Sequence, residues 1–546
     1  MKLPQYRIAS TALVGSMVGV ALTGHARAQR TASPLDAMTR VSVDSAGNQS
    51  NNQSQFWNNQ TISADGRYVV FLSYATKLVP GDTNSVPDVF VHDRATGETT
   101  RVNLSSTGHQ ANDFSGGGVI SADGRYVALD SYANNIVSGD TNSASDVFVH
   151  DCSTGGTSRV SIDSAGNAGN YDSWRPSISA DGRYVAFNSL ATNLVANDTN
   201  NARDVFVHDR LTAVTTRVSV DSAGSQGDGD SGYYSSPSLS ADGRYVAFDS
   251  LATNLITGRT TKEMHVFVHD LLTGLTELAS VSSTGRDGNS WSWYPSLSHD
   301  GRYVAFTSGA TNLVSGDLNQ VNDVFVHDRN TGHTTIVSVS SDGTQGDFSS
   351  LCPSLSDDGR YVSFSSSSST LAPHTACCSN VFLHDRVIGA TWLMSTASTN
   401  TDSATVLWSE PWSDVPSISA DGRFVTFESW HSSLVADDTN HTIDIFVTGP
   451  DLTLNANLPT VVPGQTLTLI EYSGMLGTPA SLWAVDANGL SISVLLAAGT
   501  FAADGSFVIS GVVPPGIGPL EVVFRGYALG QSDCVHWTNP VTILFR

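Results

Sequence analysis

Short apolar runs rich in Val, Ile, Phe and Tyr recur along this chain, divided by polar turns. The stretch from Pro176 to Asp221 is the clearest copy of the unit. Within it Ser177–Ser179, Tyr184–Ser189, Asp204–Asp209 and Thr215–Asp221 read as four strands, since β-branched and aromatic residues favour a pleated surface. Asp181-Gly182 is the turn between the first two, with glycine supplying a positive φ. The third strand is apolar on both faces, Val205 and Val207 on one and Phe206 and His208 on the other. A sheet covered on one side only would alternate apolar with polar residues, so this pattern predicts a sheet wedged between two others.

The turn recurs at Asp65, Asp123, Asp181, Asp242, Asp300, Asp358 and Asp421, at intervals of 58, 58, 61, 58, 58 and 63 residues. A fixed period of this length marks a propeller or solenoid, because one unit cannot bury its own apolar faces. Third strands occur seven times, from Asp88 to Asp444, but downstream fourth strands only six times. The missing one stands at the front, where Thr39–Asp44 copies Thr216–Asp221. The expected fold is therefore all-β: a seven-bladed β-propeller over residues 39–449, closed by an N-terminal strand. Residues 29–38 read as a linker. Residues 450–546, with turn signals at Pro463-Gly464, Asn488-Gly489, Asp504-Gly505 and Pro515-Gly516, read as a small β-sandwich.

The repeated Pro-Ser start, Ser-x-Asp-Gly-Arg turn, Val-Ala-Phe strand and third strand ending at His-Asp resemble the TolB-like, WD-repeat-like propeller repeat of bacterial envelope proteins. The resemblance covers about Thr39 to Thr448 and implies an architecture. It implies no task, because this repeat serves many.

The net charge is −24, and removing Lys2, Arg7 and Arg27 with residues 1–28 takes it to −27. Sequence-independent nucleic-acid binding needs a basic field, and anionic membrane surfaces are disfavoured likewise. Cations, neutral polymers and proteins are left as partners, a protein or glycan being expected. Met1–Ala28 has the form of a secretory signal, with an apolar core from Thr11 to Leu22 and Ala26-Arg27-Ala28 as cleavage site. Export to the periplasm or beyond is expected, without membrane insertion after cleavage.

Five units carry Asp-x-Asn-x-x-x-Asp between second and third strands. The sets are Asp82/Asn84/Asp88, Asp140/Asn142/Asp146, Asp198/Asn200/Asp204, Asp317/Asn319/Asp323 and Asp438/Asn440/Asp444. Oxygens at this spacing are expected to wrap a hard cation such as calcium, or to order the loop as Asx-turns. The fourth unit has Arg259, Thr261 and His265 at these places. In the sixth the pattern is lost and Cys377 and Cys378 appear, so a bridge from Cys352 to Cys377 or Cys378 is expected, with Cys152 and Cys534 free.

The connections between blades hold Trp57, Phe114, Tyr171, Trp174, Tyr233, Tyr234, Trp291, Trp293, Tyr294, Phe348, Trp408 and Trp412. Propeller geometry puts them and the Asp-Asn loops on one face, around the channel mouth. Exposed aromatic faces bind sugar rings or protein anchors. The six His-Asp pairs beginning at His92 and the seven arginines beginning at Arg67 are expected to be structural, since a catalytic pair is normally made once. No nucleophile–base motif stands out. The reading is a non-enzymatic recognition or scaffold propeller for a protein or glycan. The alternative is a polysaccharide hydrolase or lyase, which a unique carboxylate cluster at the mouth would favour.

Overall fold

The computed structural model describes residues 36–58, 60–258, 263–372, 379–396 and 413–449, and the strand backbones within 466–545. Seven antiparallel four-stranded sheets follow one another from the first strand to Gly449. Blade 3 is representative, with strands Ser173–Ile178, Tyr184–Ser189, Asp204–Asp209 and Val214–Arg217. The inner strands of all seven blades line one central channel. Neighbouring blades join around it through backbone bonds such as Ala122 N to Ala180 O at 3.1 Å and Ala180 N to Ala241 O at 3.0 Å.

The cores lie between blades, as the apolar third strand requires. One unites Val147 and Val149 of blade 2 with Ile178, Val185, Phe187 and Phe206 of blade 3. Across the two middle strands Phe187 and Phe206 pack with ring centroids 6.0 Å apart. Blade 2 has Leu129 opposite Phe148 at this place.

In the seventh sheet the order is Asp36–Arg40, Asp444–Gly449, Val425–Ser429, Ser413–Ile418. Thr39 pairs with Val447 and Arg40 with Phe446. This strand starts before the expected Thr39 and stops at Arg40, where the chain turns so that Ser42 Oγ meets Asp444 Oδ1. Fourth strands end early for the same reason: past Arg217, Ser219 Oγ donates to Asp204. The first strands of blades 3, 5, 6 and 7 are longer than expected and carry a bulge before proline, with Arg175, Tyr294, Cys352 and Val415 at φ 56°, 53°, 53° and 47°.

The Asp-Gly-Arg turn fastens one blade to the next. Gly182 has φ 72°, and a Cβ there would stand 2.2 Å from the Tyr126 ring of the preceding blade. Glycine is needed both for its backbone conformation and for that approach. Arg183 donates to both oxygens of Asp209, at 2.8 and 2.7 Å, and lies over Tyr184. The repeated histidines are structural too. His208 Nδ1 meets Thr215 Oγ1 at 2.9 Å, and Thr215 donates to Ile162 O of the previous blade's connection.

A second unit begins at Asp451. Its backbone forms a two-stranded sheet of Thr466–Glu471 with Phe507–Val512. A five-stranded sheet contains Pro479–Ala487, Val494–Thr500, Leu520–Leu529, Val535–Trp537 and Val541–Phe545. The short strand Val535–Trp537 is not among those the residue pattern singled out. No helix among the described residues is long and apolar enough to cross a membrane. Met1–Ala28, Arg259, Thr261, Cys377, Cys378, Trp408, Trp412 and Cys534 lie outside the described residues.

Candidate functional site

The Asp-Asn loops stand on the face named by the sequence, but their partner is internal. In blade 3 Arg217 Nη1 lies 3.2 Å from Asp198 Oδ1 and 3.3 Å from Asp204 Oδ2. Asn200 turns its N–H toward Asp204 and Gly227 O, and its carbonyl accepts from Ala202 N. In blade 2 Arg159 Nη1 stands 3.1 Å from Asp140 and 2.8 Å from Asp146. Arg101 holds this place between Asp82 and Asp88 in blade 1, and Arg40 between Asp438 and Asp444 in blade 7. In blade 5 the residue opposite Phe325 is Ile336, and Gln345 Nε2 donates instead to Asp317 at 3.0 Å and Asp323 at 2.9 Å.

The asparagines expected to offer oxygens to calcium offer N–H groups to the loop instead. Asn84 donates to Asp88 and to Ala111 O, both at 3.0 Å. Asn142 donates to Asp146 and to Gly169 O, both at 2.9 Å. Asn319 donates to Asp323 at 2.9 Å and to Gly346 O at 2.8 Å. Asn440 donates to Asp444 at 2.8 Å and to Ser50 O at 3.2 Å. Their carbonyls accept from the backbone N–H two residues on, in Val86, Ala144, Val321 and Thr442. That is the Asx-turn, the other outcome the spacing allows.

The exceptions change together. Blade 4 has His265 for the last aspartate and Leu278 for the arginine; blade 6 has Asn380 and Leu393. Where the carboxylate is lost, so is the cation. A guanidinium between the carboxylates and an amide presenting N–H do not fit a calcium ligand set, which needs converging oxygens. Among the described residues no group of three or more His, Cys, Asp or Glu is arranged to hold a metal ion. Burial pushes Asp82, Asp140, Asp198 and Asp438 above the usual carboxylate range, and Asp204 and Asp323 to about 6.

Cys352 is a free thiol, not the half-cystine expected of it. It occupies the first-strand bulge, where burial, then Asp414 and Glu428, push its pKa well up.

Ring contacts gather the aromatic connections into three groups. Trp57 and Phe114 pack with centroids 5.2 Å apart. The largest group runs across blades 3 to 5. Arg203 lies 4.9 Å from the Trp174 ring and 4.8 Å from Tyr233. Tyr233 meets Tyr234 at 4.8 Å, and Tyr234 meets Trp291 at 5.6 Å. Tyr233, Tyr234 and Trp291 are 41%, 41% and 39% exposed, so the wall faces solvent. Trp293 packs against Tyr294 at 6.3 Å. Tyr171 is exposed but stands outside these ring contacts among the described residues.

Beneath the wall is a ring that sequence reasoning missed. The last residue but one of the second strand is Leu72, Asp130, Asn188, Asp249, Thr307, Ser365 and Glu428 in blades 1 to 7, all buried. The next residue is serine in every blade. These side chains anchor the mouth loops. Asp130 accepts from Arg175 N at 3.2 Å, and Glu428 from Phe56 N at 2.6 Å. Asp249 accepts from Tyr233 N, Tyr234 N, Ser235 N and Ser235 Oγ. Asn188 donates to Gly232 O and Ser235 O.

Burial pushes Asp130 to about 7 and raises Asp249. Burial, helped by Asp414 across the strand pair, pushes Glu428 to about 8. Tyr294 is pushed up to about 12 by burial, with Cys352 beside it. The signal that would have found this ring is negative: a position that fails to repeat, one residue before an invariant serine.

No family model matches this chain, and no curated protein matches it. Among solved structures it is similar to a TolB candidate from Agrobacterium tumefaciens, at 19% identity over 52% of this chain and 80% of that one, TM-score 0.32. It is also similar to a periplasmic gluconolactonase of Pseudomonas aeruginosa, at 17% identity over 63% and 84%, TM-score 0.29. The RRP9 WD40 repeats align at 9% identity over 71% and 92%, TM-score 0.35. At these scores the likenesses carry no argument about function.

Proposed function

We propose that this protein is an exported recognition propeller that holds a glycan across the aromatic side of its channel mouth. The observation that carries this reading is the continuous wall Trp174–Arg203–Tyr233–Tyr234–Trp291, built from rings on three successive blades and open to solvent. Flat apolar faces beside hydroxyls and amides match the two kinds of surface on a sugar. The chain has no extended basic field of the kind that sequence-independent nucleic-acid binding needs. The mouth carboxyls Asp130, Asp249 and Glu428 each hold a backbone N–H, which favours a supporting role over acid–base work.

Replacing Trp291 with alanine is expected to weaken glycan binding by roughly thirtyfold, about 2 kcal/mol for a central aromatic anchor. A glycan array followed by titration of the chosen oligosaccharide into wild type and variant measures it. Unchanged affinity would remove the wall from the reading. A protein ligand is indicated if only polypeptides bind.

A second reading, a polysaccharide hydrolase or lyase, is favoured by Asp414 standing opposite Glu428 in the strand pair of blade 7, which sets two carboxyls side by side. Release of reducing ends from the bound glycan would select it.

The leader Met1–Ala28 supports export, and a mature N-terminus at Gln29 in the secreted protein is the mark to look for. The two C-terminal sheets are read as the halves of a β-sandwich serving attachment or capping.

A further inference from the structure

Two guanidinium groups meet at the mouth without a carboxylate to pair them. Arg175 Nη1 and Arg203 Nη1 both donate to Tyr233 O, each at 3.1 Å. Among the described residues neither has a carboxylate within ion-pair distance, unlike Arg183 with Asp209 or Arg217 with Asp204 on the same blade. The acids around them are otherwise engaged. Asp249 takes four donors from the Tyr233–Ser235 loop, Asp130 accepts Arg175 N, and Asp230 accepts Arg203 N at 2.7 Å. Arg203 Nε is buried with no hydrogen-bond partner.

The architecture does not require these charges. The other blades put uncharged residues such as Gly117, Tyr294 and Val415 at the place of Arg175, and Ser145, Met264 and Ile443 at that of Arg203. The two cations are thus singular, come from the first strand of one blade and the loop before its third, and converge in a chain of net charge −24. Like charges repel unless an anion joins them, and a planar guanidinium fork matches a carboxylate. The aromatic wall begins at this point, since Arg203 lies between the Trp174 and Tyr233 rings.

We propose that the ligand of the mouth is an acidic glycan: a uronate carboxylate sits on Arg175 and Arg203 while adjoining sugar rings lie along Tyr234 and Trp291. The proposal rests on the glycan reading and adds the charge of the sugar.

The test is calorimetric titration of the full chain at low salt with a galacturonate hexamer, a neutral cellohexaose and a glutamate hexapeptide. The uronate is expected to bind at least about tenfold more tightly than the neutral hexamer, the effect of one charge-assisted contact. Arg203→Met is expected to cut the ratio of uronate to neutral affinity by about tenfold, and Arg203→Lys to restore part of it. Melting curves of the variants establish that they fold, and Arg175→Met serves if Arg203→Met does not.

Equal affinity for both hexamers overturns the acidic-sugar proposal and leaves the glycan reading standing. Absence of binding to both, with the array blank, overturns the reading and the proposal together. Binding of the peptide alone overturns both in favour of an acidic protein partner.

Discussion

Replacing Arg217 with leucine lowers the stability of the propeller by about 3–5 kcal/mol, the cost of leaving buried carboxylates without their cation. Arg217 Nη1 is the shared neighbour of Asp198 and Asp204, and the Asp204 side chain has essentially no exposure. The chain contains its own control. Blade 6 has Asn380 and Leu393 at the places where blade 3 has Asp204 and Arg217, and both blades form the same four strands. Adding Asp198→Asn and Asp204→Asn to Arg217→Leu is therefore expected to recover most of the loss. Urea unfolding of the single and triple variants measures both effects. A harmless single variant, or a triple variant no better than the single, would show that the ion pair is not what orders the loop. A chelator is expected to leave the wild-type midpoint where it is. A fall of several degrees would return calcium to these loops.

Raising the pH from 6.5 to 8.5 lowers stability by about 2–3 kcal/mol, through Glu428 and Asp130. In the unfolded chain both ionise near pH 4, whereas burial holds them protonated to about 8 and about 7 in the fold. The folded state then carries protons that the unfolded state has lost. Their contribution is complete below the unfolded pKa and disappears as pH rises through the folded values.

Other groups act elsewhere on the scale. The six ladder histidines have their pKa lowered by burial, His384 to about 4. They oppose folding as pH falls below about 6.5, where the unfolded chain takes up protons first. Asp93, Asp151, Asp209 and Asp270, held well below the usual range by their arginines, lose their contribution only in stronger acid. Above pH 6.5 the slope therefore comes from carboxyls that burial raises, with Glu428 and Asp130 joined in the mouth by Asp249. Glu428→Gln with Asp130→Asn is expected to flatten the melting midpoint there, and a slope that survives would assign it to other groups.

What could be read from the sequence was what short-range rules encode. Tyr184–Ser189 and Asp204–Asp209 are strands because of their residue types and their two apolar faces, and Gly182 fixes the hairpin between them. Seven copies of that pattern also marked His208 and Arg183 as structural, since a feature made in nearly every copy belongs to the frame.

Local pattern does not say which distant group a side chain meets. Asp198 and Asn200 have the spacing of a cation loop, and only strand pairing brings Arg217 between the carboxylates. Cys352 seemed placed for a bridge until the bulge put it inside the mouth as a free thiol. The mouth itself had no motif, because the residues that form it differ from blade to blade. Asp130, Asp249 and Glu428 are far apart in the chain and share one ring only because the blades come round the channel. Arg175 and Arg203 meet because the next blade lays Tyr233 O between them. Sequence determined the repeating sheet through turn chemistry and burial; tertiary structure decided the site, because packing blades in a circle chooses the neighbours that set charge and exposure.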